Sequence, residues 1–238
     1  MSNQVVGSVP DEKTFGALSD VVFKVGKGVL TPDQLKRFAN KQNPFAVDTV
    51  DSHVIFWTGV YAVVFGIDAK VDLLKLNWPE SSPDFWDVPM VKGLTESGAF
   101  RALQTWNKFP VGSYHDDLDA AIDLKKSDRH PSLGTYGVRF HAEPEGDDNQ
   151  KNISANRHIE LGTKGNTLLE AIVLEPMYFL KSGGGHLNQK TVNHATGSRF
   201  AGGNVPHAGW LGGFYLFSGY HPGGAGPGLR TRVAELTF

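Results

Sequence analysis

Residues 200–228 hold ten of the chain's 28 glycines, while the other 209 positions share eighteen. Glycine adds backbone freedom and offers no side chain to pack, so a stretch this rich in it reads as short alternating runs joined by turns. The surrounding block, 197–234, also lacks Lys, Glu, Gln and Met. Residues 1–196 carry 32 of those four types, a rate that would place about six in the block. A glycine-rich loop region of a β-domain accounts for the glycine. It accounts neither for the missing four nor for Phe200, Trp210, Leu211, Phe214, Tyr215, Leu216, Phe217 and Tyr220 in the same stretch.

Spacing sorts these residues further. His207, Gly209 and Leu211 alternate with Ala208 and Trp210, and Phe214, Leu216 and Ser218 alternate with Tyr215 and Phe217. Period two puts each set on one face of an extended segment. Ala208, Trp210, Tyr215 and Phe217 read as a core face. The interleaved sets mix residue types without packing logic and read as an outward face.

The rest of the chain is ordinary. At 238 residues, 40% hydrophobic and 20% charged, it suits one generous domain or two small ones. A formal charge of -2 gives no basic field, so neither nucleic acid nor a membrane is expected as a partner. The absence of cysteine excludes disulfides, cysteine zinc sites and a thiol nucleophile. The start of the sequence shows no basic region followed by an apolar run, and the apolar stretch Val54 to Ile67 is too short to span a bilayer, so a cytoplasmic protein is expected.

Local signals predict helices first. Thr31-Pro32-Asp33-Gln34 is a capping box opening a helix to about Asn40, stopped by Asn43-Pro44. Asp51 caps a second helix toward Phe65, with a buried strand as the alternative. Leu76 to Pro89 reads as an extended connection, and Thr95 to Trp106 as a helix with Phe100, Leu103 and Trp106 on one face. Asp116-Asp117-Leu118-Asp119 starts a short helix, Gly134 to His141 alternates like a strand, and Glu143 to Asp148 reads as a solvated loop. Thr167 to Leu180 is a helix ended by Gly183-Gly184-Gly185, and Leu229 to Phe238 is a final strand.

Four segments carry a resemblance: YHDDLDAAI, SDRHPSLGTYGVRF, NISANRHIELGTKGNTLLEAIVLEPMYFL, and above all GSRFAGGNVPHAGWLGGFYLFSGYHPGGAGPGLRTRVAEL. Together they resemble the variable proteins of diversity-generating retroelements, in a family frequent in candidate-phyla bacteria. In such systems a reverse transcriptase acts on the gene, not the protein, rewriting its 3′ end through errors at adenines. Asparagine codons rewritten this way can encode Gly, His, Leu, Phe, Tyr, Ser or Pro, but never Lys, Glu, Gln, Met or Trp. The resemblance therefore implies a variable region at about 197–230. Its diversified, ligand-binding positions would be His207, Gly209, Leu211, Gly212, Phe214, Leu216, Ser218, His221, Gly223, Gly224, Gly226 and Gly228, with Phe200, Tyr220 and Pro227 fitting less closely.

The resemblance also implies the fold: α+β, with a helical N-terminal region (1–112, an adaptor or scaffold) followed by a C-type-lectin-like display domain (113–238) ending in short antiparallel strands. The expected protein is a non-enzymatic receptor or adhesion-like binder of an unidentified macromolecule, a protein, without cofactor or metal. Phe214, Tyr220 and Leu211 would be its apolar anchors. Two alternatives stand beside it: a metal-dependent hydrolase centred on Asp116, Asp117 and Asp119, with His115 and His141 nearby, and a homo-oligomeric structural subunit.

Other patterns carry less. Glu143, Glu145, Asp147 and Asp148 lack the spacing of an EF-hand loop. His194 and His207 form a conceivable zinc pair without a third ligand. Gly197-Ser198-Arg199 is not a nucleophile elbow, and Gly183-Gly184-Gly185-His186 is not a phosphate loop. Trp57, Phe85, Trp86 and Trp106 read as core.

Overall fold

Thr167, followed three residues later by Glu170, starts the central helix of the protein. In the computed structural model, which describes Lys27, Thr31, Lys36 and residues 49–238, the Thr167 side chain accepts from the Glu170 N–H. The Glu170 carboxylate in turn accepts from the Thr167 N–H, closing the capping box. The helix runs Leu168–Ser182 and ends at Gly183 in a left-handed conformation. Every residue from Leu168 to Met177 is buried, so it is a core helix covered all round.

In chain order the elements are α1 (Thr49–Val60), continued by a wider turn over Tyr61–Phe65, α2 (Lys70–Leu73), β1 (Phe85–Met90), α3 (Glu96–Trp106), β2 (Val111–Ser113) and α4 (Leu118–Ala121). Next come β3 (Tyr136–His141), α5 (Ala155–Leu161), the central α6 (Leu168–Ser182), β4 (Val192–His194), β5 (Val205–Trp210), β6 (Phe214–Tyr220), β7 (Leu229–Arg230) and β8 (Leu236–Thr237). Helices and two sheets make the α+β class expected from the sequence. One sheet is antiparallel, ordered β1-β3-β8. The other is ordered β2-β6-β5-β4-β7 and is mixed, with parallel pairing at both edges.

The expected helices at Thr95–Trp106 and Thr167–Leu180, the short helix after Asp117 and the strand before His141 are all present. The 51–65 stretch is helical, with Asp51 inside the helix and not at its cap. The helix expected at Thr31 to Asn40 lies almost entirely outside the described residues. Two readings are corrected. Phe85–Met90, expected as a connection, is a strand paired with β3, and Arg139 holds the register by gripping Asp87 with two bonds of 2.6 and 2.8 Å. Pro89 is tolerated because β1 lies at the sheet edge, where a missing N–H matters least. The final strand is two two-residue strands in different sheets, β7 and β8, separated by the buried Arg232.

Thr49–Phe238 forms one compact unit. It spans the boundary expected at 112/113, because β1 pairs with β3 and β2 with β6. α3, α6 and both sheets share one apolar core containing Trp86, Leu103, Phe140, Ile172 and Phe214. Trp57 and Trp86 are buried as expected, and Trp106 packs against the core partly exposed.

Candidate functional site

β5 and β6 form the hairpin at the centre of the glycine-rich block, and its register decides which residues share a face. The connection Leu211-Gly212-Gly213 places Trp210 opposite Phe214, Ala208 opposite Leu216, Gly209 opposite Tyr215 and His207 opposite Phe217. Gly212 occupies the turn at φ +67°, a conformation that favours glycine. Ala208, Phe214 and Leu216 therefore lie together on the core face, at 0%, 1% and 3% exposure. Tyr215 and Phe217, expected inside, are half-buried on the opposite face with His207 and Gly209.

The expected binding positions consequently separate. Phe200, Phe214 and Leu216 are core residues, and Gly209 is buried; Phe214 cannot be an exposed anchor. Leu211, Gly212, Ser218, Tyr220, His221, Gly223 and Gly228 are exposed, and Gly224 and Gly226 are half-exposed. His207 is buried yet reaches a groove. Gly224 is a structural glycine, since a Cβ there would lie 2.8 Å from Cδ1 of Tyr220 and 3.0 Å from the His221 carbonyl.

That groove, about 490 Å³, runs between the end of β6 and the 221–228 loop. It gathers His207, Ser218, Tyr220, Gly226 and Gly228, together with Val192, Phe217, Pro227 and Leu229. Val192 escapes sequence reasoning because it arrives on β4, which pairs with β7. The loop is pinned by turns at His221–Gly224 and Gly226–Leu229, by Val192 N–H donating to the Gly228 carbonyl, and by Asn156 N–H donating to that of Pro222. His207 forms the floor, its ring 5.2 Å from that of Tyr220 and 4.9 Å from that of His194. Burial pushes the pKa of His207 down to about 4 and that of His194 to about 3, so both are neutral at pH 7.

Two buried polar networks lie elsewhere in the same compact unit. Arg129 grips Glu170 with two 2.7 Å bonds, and the Tyr136 hydroxyl donates to the same carboxylate at 2.9 Å. Arg232, fully buried, donates to the Glu143 and Pro144 carbonyls and lies 5.5 Å from the Trp86 ring centre. Desolvation lowers its pKa to about 10.

The rival clusters have structural partners. Asp117 accepts from the Ala120 N–H at 3.1 Å and the Ser97 hydroxyl at 3.2 Å, while Asp119 accepts from the Ser97 N–H at 2.8 Å. The Asp119 N–H donates back to the Ser97 hydroxyl. These carboxylates cap α4 and tie it to the start of α3. These bonds, the Ala120 N–H first, hold the Asp117 pKa below the usual value. His141 pairs instead with Glu235, at 3.2 Å.

The 143–148 segment is less solvated than expected. Glu145 accepts from the Thr191 hydroxyl at 2.6 Å and from the Lys190 and Thr191 N–H groups, and the buried Asp147 accepts from the Val233 N–H at 2.6 Å. Among the described residues, no group of three or more His, Asp or Glu side chains is arranged to hold a metal ion. The Ser198 hydroxyl accepts from the Leu168 N–H at the start of α6.

No protein-family model, curated protein or solved structure matches this chain. Among the described residues, no helix is long and apolar enough to cross a membrane.

Proposed function

We propose that this is a ligand-binding protein of the diversity-generating retroelement type, with a C-type-lectin-like display domain and a binding surface on the exposed part of the glycine-rich block. The surface comprises Leu211, Ser218, Tyr220, His221, Gly223, Gly226 and Gly228, with His207 as the groove floor. The same reading takes the ligand as a protein, the binder as non-enzymatic and its location as cytoplasmic.

The observation that carries it concerns the glycines. A Cβ added at Gly228 meets nothing within 4 Å, and at Gly209, Gly223 and Gly226 it meets only contacts of 3.4 Å or more. None of the four has the positive φ that favours glycine. The backbone therefore does not require glycine there, and a process that writes residues without regard to packing accounts for it better than turn geometry does. The binding side then works like a paratope, with a fixed frame beneath changeable side chains.

The test is the DNA downstream of the gene. A near-copy of the 3′ end that differs only at its adenines, beside a reverse-transcriptase gene, is the expected result. Differences falling on the codons of Phe214 and Leu216 instead of those of Tyr220 and Gly228 would overturn the surface assigned above.

A further inference from the structure

A second pocket, of about 380 Å³ and independent of the glycine-rich groove, lies beside the C-terminal end of α5. Three cations line it: Lys126, Lys164 and Arg199. Asp128 is the one carboxylate on its wall, which leaves a surplus of two positive charges with His158 neutral. Lys126 shares its charge with Asp123 at 3.2 Å, both partly exposed. Arg199 is half-buried, and Nη1 donates to the Thr196 and Ser198 carbonyls at 2.7 and 2.8 Å. Among the described residues no carboxylate is ion-paired with it, and desolvation lowers its pKa against the pull of Asp128. A desolvated guanidinium bonded only to carbonyls is poorly compensated, and its planar donor array suits phosphate.

The fourth group is polar but not cationic. His158 is 2% exposed, and its Nδ1 lies 2.8 Å from the Thr163 hydroxyl oxygen. That hydroxyl donates to the His158 carbonyl at 3.3 Å, so the hydrogen between ring and oxygen belongs to Nδ1. Nε2 is left as a buried lone pair without a protein partner, and such groups usually have one. His194 lies close behind, and burial keeps both rings neutral. Nε2 has no accessible surface, so what the wall offers a ligand is its cations, suited to a dianion. The volume falls in the range of small-ligand sites, roughly 300–1,000 Å³.

We propose that the pocket lined by Lys126, Lys164 and Arg199 binds a phosphomonoester, as in glycerol phosphate. The phosphate sits against Arg199 and the two lysines. Ile159, 69% exposed on the rim, leaves two sources for this chemistry: a soluble sugar or polyol phosphate and a lipid headgroup.

Calorimetric titration of the full chain with glycerol 3-phosphate, against glycerol and against chloride at matched ionic strength, tests the site. Saturable binding to glycerol 3-phosphate alone, weakened roughly tenfold or more in Lys126→Ala/Lys164→Ala, supports a soluble ligand. Binding only to vesicles containing phosphatidic acid, with the same dependence, assigns the headgroup. Both lysines are exposed, so the double variant keeps the test decisive if Arg199→Lys fails to fold. Binding to neither probe, or equal binding by the double variant, overturns the proposal.

Discussion

The imidazole of His186 lies flat on the indole of Trp210, with ring centres 3.4 Å apart and planes within 14°. Its Nδ1 is 2.8 Å from Oε1 of Glu175, a carboxylate inside α6 with no exposed surface. Phe109 meets the edge of both rings. The stack joins the β5–β6 hairpin to the central helix, so the turn after Trp210 is held from below as well as by the Leu211 N–H bond to the Gly213 carbonyl.

Removing this stack should loosen the hairpin. Trp210→Ala is expected to cost about 3–5 kcal/mol, from lost burial and the cavity left behind. His186→Ala leaves Glu175, whose pKa burial already raises, with only the Leu187 N–H as a donor. Chemical denaturation of the two variants measures both effects. A loss below about 1 kcal/mol for Trp210→Ala, the level of an ordinary surface change, would refute this anchoring role.

The two faces of the hairpin should respond oppositely to truncation. Phe214, at 1% exposure, is expected to cost about 3–5 kcal/mol as Phe214→Ala. Tyr220, at 53%, should cost within about 1 kcal/mol as Tyr220→Ala while changing what the groove binds. Thermal or urea unfolding of the pair distinguishes them, and equal losses would contradict the register described above.

Acid should destabilise the protein through its buried histidines. His194 and His207 have folded pKa values near 3 and 4, below the unfolded value near 6.5. The unfolded chain then binds the extra protons as pH falls, so their stability is complete above about pH 6.5 and is lost progressively toward pH 4. A tenfold difference in proton affinity between the folded and unfolded chain corresponds to about 1.4 kcal/mol. Glu175 and Asp147, with pKa values raised by burial, act in the opposite sense. The readout is therefore the difference between wild type and His194→Gln, measured as unfolding midpoints from pH 7 to pH 4.5. The variant should lose less on acidification, and parallel curves would show that His194 does not titrate as described.

The sequence by itself determined what short-range chemistry controls. Thr95, Asp117 and Thr167 cap helices because each hydroxyl or carboxylate reaches an N–H three residues on. Gly183 ends α6 because glycine enters the left-handed region without penalty. The alternation within β5 and within β6 was equally legible, as was the compositional break that marks the block. Tertiary structure alone decided which of the two faces each strand turns inward, since a period of two defines a pair of faces without naming the buried one. The turn at Leu211–Gly213 fixed Trp210 opposite Phe214 and so put Phe214 in the core. It also took the covering of distant segments to show that Asp117, Asp119, Glu145 and Asp147 bond to Ser97, Thr191 and Val233 instead of forming a reactive cluster. Partners twenty to ninety residues apart leave no local trace in the chain.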